Sequence, residues 1–367
     1  MGGGKKLANI QILRFFSALA VSLFHVGFLD SLGRNYNVWL VNGVFIFYAI
    51  SGYVTMLSTE RGCGKFMLKR LIKIFPLYWF LTIATFIAMK TKPSLFPYDP
   101  TLIDLIKSMF LIPYSHQATA TANAMYPIVS MGHTIQTTML YYLVFWIVAK
   151  ISYKNRGLLS LFVVIVIMLC GILLEPSSAF MKFYLKPDII YFTVGIAAYY
   201  ICKCKISKKN NSNSLLLIFA AMLFIATMCF NNRWVLLTLI LLLMVFVIQS
   251  GKSPIMQLSI FKKLTIMGNW TFSYFLIHLY ILRFAEFFGG TMISAKAIVC
   301  DLIAIIIAWG ISYILYEIIE KRFTNMLKKT IIIKYVQTFF QKINIFYFSI
   351  VRTCRMCYSY DFHCYYY

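Results

Sequence analysis

The sequence predicts an all-α fold, a polytopic transmembrane helix bundle of about ten spans with both termini cytoplasmic. Three observations predict it. Of the 367 residues, 61% are hydrophobic and only 13% charged, whereas soluble domains run near half and a quarter. The apolar residues fall in continuous runs of roughly helical span length, without the strict alternation of a barrel strand. Lys and Arg gather in every second connection between those runs, the orientation signal of a multi-pass protein.

The runs lie at approximately 7–29, 38–58, 71–89, 134–152, 158–174, 187–202, 214–230, 234–249, 270–288 and 296–319. Met1 to Lys6 is short and basic. The run after it is too long for a signal-peptide core and lacks a small-residue cleavage site, so it reads as a retained first span. Arg61, Lys65, Lys69, Arg70 and Lys73 follow the second run. Lys150, Lys154 and Arg156 follow the fourth, and Lys203, Lys205, Lys208 and Lys209 the sixth. Lys252, Lys262 and Lys263 follow the eighth, and Lys321, Arg322, Lys328 and Lys329 the tenth. The opposite connections carry scattered cations such as Arg34, Lys90, Lys182 and Arg233. An incorrect number of spans would break this alternation.

The net charge of +24 is therefore assigned to orientation and to anionic membrane lipids, and nucleic acid is rejected as a partner. Nine cysteines, several within apolar runs, imply no secreted disulfide framework. The long connection at about 90–133 is assigned to the outer side. Leu102 to Ile112 within it is amphipathic, with Asp104 and Lys107 opposite leucines and isoleucines, the pattern of an interfacial helix. No internal repeat is evident, which weighs against a transporter built from inverted halves. Residues 1–330 form one transmembrane domain. The tail 331–367 is aromatic and basic and carries Cys354, Cys357, His363 and Cys364. That cluster is too compressed for a regular zinc site, an interfacial extension is the plainer reading, and no metal is expected.

Two residues in the first run carry chemistry. Arg14 and His25 are eleven residues apart, about three helical turns or roughly 16 Å along one face. Ionisable groups at membrane depth are costly and mark function by default. An imidazole, with an ordinary pKa of about 6.5, can act as general base or nucleophile. The alternatives are a hydrogen-bonded core histidine at 25 and an arginine snorkelling to the interface at 14. In the second run, Gly43, Ser51, Gly52 and Tyr53 belong to small-residue clusters that allow close helix contact. After it, Lys69, Arg70 and Lys73 precede Pro76 in a basic amphipathic entrance to the third run. Such a group of cations can hold phosphates or simply anchor the loop inside. His278 lies within the ninth run, where a packed, hydrogen-bonded ring is favoured.

In order along about residues 8–328, these segments resemble the membrane-bound acyltransferase 3 family. Its Arg, ten residues, then His signature matches Arg14 through His25. Its Gly-Val-x-x-Phe-Phe-x-x-Ser-Gly-Phe pattern matches Gly43 to Tyr53, and its basic entrance matches Arg70 to Trp79 through Pro76. Gly268 to His278 is similar to its Gly-x-x-Ser-Tyr-x-x-Tyr-Leu-Ile-His segment, and Tyr316 to Lys321, with Glu320, to its closing Tyr-x-x-Ile-Glu-Lys.

The resemblance implies transfer of an acyl group, most often acetyl, from cytoplasmic acyl-CoA to a hydroxyl of a glycan or lipid-linked glycan: O-antigen, capsule or exopolysaccharide at the bacterial inner membrane. It places catalysis on His25 and acyl-CoA handling on Arg14, Arg70 and, conservatively, Lys73. Acetyl-CoA would be a co-substrate, with no bound cofactor. Thr138 stands where many relatives carry Glu, and His133 or His116 are weighed as substitutes. A flippase for lipid-linked sugars, or an inactive relative serving as a scaffold, are the alternatives. The acyl group, the acceptor and the oligomeric state are not legible.

Overall fold

The computed structural model describes residues 3–26, 40–96, 98–115, 127–174, 176, 178–205, 215–229, 232–250, 253–290 and 294–329. The tail with Cys354, Cys357, His363 and Cys364, together with His116, Arg34, Lys208, Lys209 and Lys252, lies outside them. The chain divides into two compact units, residues 1–316 and 317–367.

Among the described residues there are helices and turns but no strands, and each of the ten apolar runs holds a helix. In order the helices are α1 (Gly3–Phe24), α2 (Asn42–Ser58) and α3 (Phe66–Thr91), the short amphipathic α4 (Leu102–Met109), then α5 (Gly132–Ile151) and α6 (Arg156–Leu174). They continue with α7 (Ala179–Tyr184), α8 (Tyr191–Lys205), α9 (Leu215–Thr227), α10 (Arg233–Gln249), α11 (Ser259–Met267), α12 (Thr271–Gly289) and α13 (Ala295–Leu315). Among the described residues four segments are long and apolar enough to cross a membrane: Phe66–Thr91, Gly132–Ile151, Arg156–Leu174 and Ala295–Leu327. Ala8–Phe24, Asn42–Ser58, Ile218–Thr227 and Arg233–Gln249 are apolar but shorter. The most apolar window of α5 is 56% buried and that of α6 only 22%, so α5 runs through the interior and α6 lies on the rim.

Small residues set the closest contacts. The α2 and α8 helices pack so tightly that a Cβ on Gly52 would strike the Phe192 carbonyl, and one on Gly195 the Ala49 carbonyl. The ring of Phe45 stacks on Tyr191 at 4.2 Å beside this contact. A Cβ on Gly43 would come within 2.7 Å of the Ser17 carbonyl, so α2 also packs closely on α1. The small-residue clusters of the second run therefore act in packing.

The short helix α4 forms as the amphipathic pattern predicts. Thr101 and Asp104 make a reciprocal capping box, which satisfies two of the N–H groups a helix start leaves open. It ends at Met109, before the expected Ile112, because Leu111 turns left-handed at φ 58°. There Leu111 N–H bonds Ser108 O and Ile112 N–H bonds Lys107 O, the paired closure of a Schellman end. Tyr78 on α3 donates to the Ser108 carbonyl at 2.9 Å, and the indole of Trp79 to that of Met109 at 2.8 Å. The Ser108 hydroxyl is 3.0 Å from the Tyr114 hydroxyl, and burial pushes that phenol's pKa up, so it stays protonated as a hydrogen-bonding group. Leu102, Ile103, Ile106 and Phe110 remain exposed.

A π-helical stretch, Tyr316–Phe323, starts at the last residue of the first unit, and the described part of the second unit consists of the rest of it and α14 (Thr324–Lys329). Within it Lys321 pairs with Glu317 at 2.7 Å, the Thr324 hydroxyl donates to the Glu320 carbonyl, and Glu320 is buried.

Candidate active site

Arg14 sits inside α1, but His25 lies one residue beyond its end. The helix stops at Phe24, and His25 N–H closes a tighter turn onto Ser22 O at 3.0 Å. This corrects the expectation that both residues occupy one continuous helix. The reason is local: from Ser22 on, the backbone bonds three residues back, so the imidazole leaves the helical stripe and projects from a turn. Arg14 is half-buried and its guanidinium donates to Gln11 Oε1 at 3.3 Å.

The His25 ring is partly accessible and makes no hydrogen bond among the described residues. Its neighbours are two rings. Phe24 meets it edge-on, with centroids 4.8 Å apart. His278, from α12, lies 5.5 Å away between centroids at an interplanar angle of 44°. His278 is completely buried. Its Nδ1 is 3.2 Å from the Tyr274 carbonyl, an oxygen that can only accept, so Nδ1 carries a proton, and in the neutral ring the lone pair is on Nε2. Among the described residues Nε2 has no hydrogen-bond partner.

An aromatic column places this pair. Tyr274 stacks on Trp309 of α13 at 4.0 Å, and Trp309 meets Phe15 of α1 at 4.9 Å. With Ala18, Val26, Ala304 and Ala308 these rings form a closed apolar cluster joining α1, α12 and α13. The packing fixes where α1 ends relative to α12, and hence the distance between the two imidazoles. His278 was expected to be buried and bonded, which it is. Sequence spacing gave no sign that it would face His25, because the two are 253 positions apart and only tertiary contact relates them.

The basic entrance lies within α3, which begins at Phe66, five residues before the expected start, and continues through Pro76. Arg70 is half-buried. Its guanidinium stands 5.2 Å from the Phe66 ring centroid and 4.6 Å from that of Tyr142 on α5. Its Nη2 has no hydrogen-bond partner. An arginine held by two aromatic faces is pre-oriented to offer its remaining donors to an anion. Lys73, one turn on, is exposed.

At the position where a carboxylate would complete the resemblance, the Thr138 hydroxyl donates to the Thr134 carbonyl at 2.8 Å. His133, one turn earlier on α5, holds its Nδ1 2.7 Å from the Ser130 carbonyl, and it lies within electrostatic reach of His25.

A family profile described as an acyltransferase domain matches residues 7–317. The chain belongs to the acyltransferase 3 family. No curated protein and no solved structure matches it. The match places this chain among membrane acyltransferases, and it spans α1 to α13, including both histidines and Arg70.

One residue of this acyltransferase was read only as a loop cation. Arg156, at the start of α6, is buried. Its Nε donates to Thr59 Oγ1 at 3.1 Å and its Nη1 to the Tyr153 carbonyl at 2.9 Å, while the guanidinium covers the Tyr153 ring at 4.4 Å. The Tyr153 hydroxyl in turn donates to the Thr59 carbonyl at 2.6 Å, and the Tyr199 hydroxyl to Glu60 at 2.8 Å. The network fastens the loop from which the basic entrance of α3 departs. No sequence signal separates Arg156 from its solvated neighbours, since its partners are the Tyr153 carbonyl and the hydroxyl of Thr59, just past the end of α2. Arg156→Ala is expected to cost about 2–3 kcal/mol, the worth of charged hydrogen bonds in a buried place, read as a lowered thermal midpoint of the detergent-solubilised protein. Arg156→Lys is expected to recover little of it, because an ammonium offers neither the planar fork nor the stacking.

Proposed function

We propose that this acyltransferase moves an acyl group, acetyl in the first instance, from cytoplasmic acyl-CoA to a hydroxyl of a cell-surface polysaccharide or its lipid-linked precursor, with His25 as the group that meets the reacting atoms. The proposal includes ten spans, both termini on the cytoplasmic side, and a bacterial inner membrane. The observation that carries it is the His25 imidazole itself, partly accessible and with no hydrogen bond among the described residues, just past the end of the helix that carries the Arg14 cation.

In this reading the phosphates of CoA meet Arg70, Lys73 and Arg14 on the inner side, through charge-assisted bonds. The pantetheine arm follows α1, where eleven residues correspond to about 16 Å. The acceptor arrives from the outer side, where α4 and the loops around it lie. His25 removes the hydroxyl proton as oxygen attacks the thioester carbonyl. The tetrahedral intermediate then expels the CoA thiolate, which takes the proton from the imidazolium. Attack by His25 on the thioester, followed by transfer to the acceptor, is the alternative order of events with the same balance.

The test is direct. Protein reconstituted in lipid is given radiolabelled acetyl-CoA and surface polysaccharide. Mass spectrometry of the polysaccharide is expected to show one acetyl unit added per modified residue, and a larger increment would name another acyl donor. Movement of a lipid-linked sugar without change of mass would count against the proposal. Arg70→Ala is expected to raise KM for acetyl-CoA about tenfold with little change in kcat, the mark of a lost binding contact remote from the bond being broken.

A further inference from the structure

We propose that His278 is the positioning residue for His25: its Nε2 accepts the N–H of the His25 ring and fixes which nitrogen of His25 is left free for the reaction. The inference rests on the reading of His25 given above and supplies the orienting partner that Thr138 does not provide.

Four observations carry it. The two rings lie 5.5 Å apart between centroids, a separation at which one nitrogen of each ring, turned toward the other, meets at hydrogen-bond distance. The His278 Nδ1 is committed to the Tyr274 carbonyl, which leaves Nε2 an acceptor. That Nε2 is fully buried and has no partner. A buried acceptor left unsatisfied is costly, and the His25 N–H satisfies it. Finally, His278 cannot turn away, since Tyr274 stacks on it at 5.5 Å and 14° and Tyr274 is itself stacked on Trp309.

The arrangement gives His25 what a carboxylate gives the histidine of a hydrolytic triad: a fixed tautomer and ring direction. With His278 in its neutral form, the bond orients without adding charge. When His25 takes the acceptor's proton, its N–H toward His278 becomes charge-assisted and shorter. The proton then leaves with the CoA thiol, and His278 carries the same single proton before and after.

The test uses full-length protein in lipid nanodiscs with 15N-labelled histidine. The chain has five histidines, and the spectrum of His25→Ala identifies the His25 signals. In the native protein His25 is expected to show one neutral tautomer. In His278→Leu it is expected to show a mixture of both, and in His278→Gln, whose carbonyl restores an acceptor, a single form again. Acetyl-CoA turnover, read by thiol release with water as acceptor, is expected to fall roughly 10²-fold in kcat for His278→Leu at unchanged KM, and to recover partly in His278→Gln. Unaltered His25 signals in His278→Leu overturn the inference. So does equal loss in the Leu and Gln variants with acetyl-CoA binding lost in both, which marks a purely structural role. Full activity of His25→Ala overturns the proposed function instead, and the tautomer measurement then still stands separately.

Discussion

His25→Ala is expected to lower the rate of acyl transfer by about 10²–10⁴-fold, the range for removal of a positioned general base. The protein should remain folded. His25 lies outside the helix, makes no hydrogen bond that holds the bundle together, and is partly accessible. The apolar cluster beside it is built from Phe15, Ala18, Val26 and residues of α12 and α13, none of which the change touches. The variant should therefore keep its thermal midpoint and its affinity for acetyl-CoA, with the loss confined to kcat. Wild-type transfer by His25→Ala, measured as label incorporated into polysaccharide, would falsify the assignment. A loss of acetyl-CoA binding instead of turnover would move His25 from chemistry to substrate capture.

Gly52→Leu is expected to cost about 3 kcal/mol or more in stability, and the folded yield with it. At this position the obstacle is backbone. A Cβ on Gly52 would run into the Phe192 carbonyl, and Gly195 opposite faces the same limit at Ala49. Neither helix can yield by turning a side chain, so α2 and α8 would have to separate. Separation would disturb the Phe45–Tyr191 stack and the seat of Tyr141, whose hydroxyl bonds Ile189 O at 3.1 Å. Gly310→Ala provides the control. A Cβ there meets nothing within 4 Å, so the change should be neutral or stabilise by up to about 1 kcal/mol through helix propensity. Comparable thermal midpoints for Gly52→Leu and Gly310→Ala would contradict the close-packing argument.

The legible part of the site is the part that local chemistry marks. Arg14 and His25 stand out because ionisable groups are rare in an apolar run, and Arg70 because a cation beside a helix entrance follows the charge alternation of the loops. The α4 helix was legible from its amphipathic pattern, with Asp104 and Lys107 opposite the apolar residues. Other features have no local signature. The left-handed Leu111 that shortens α4 occupies a position where glycine is usual. The start of α3 at Phe66 falls among basic residues that hydropathy alone assigns to a loop. Arg156 looks like its neighbours until its partners are known.

By itself the sequence determined the helical class, the place of every apolar run, and the residues whose chemistry is out of keeping with their surroundings. All of these follow from composition and from spacing along one chain. Only the tertiary structure decided that His25 leaves its helix, that Arg70 is clamped between two rings from different helices, and that His278 arrives beside His25. Those outcomes depend on which distant helices share a face. The choice is made by a few close contacts, Gly52 against Phe192 and Trp309 between Phe15 and Tyr274, whose partners no local pattern names.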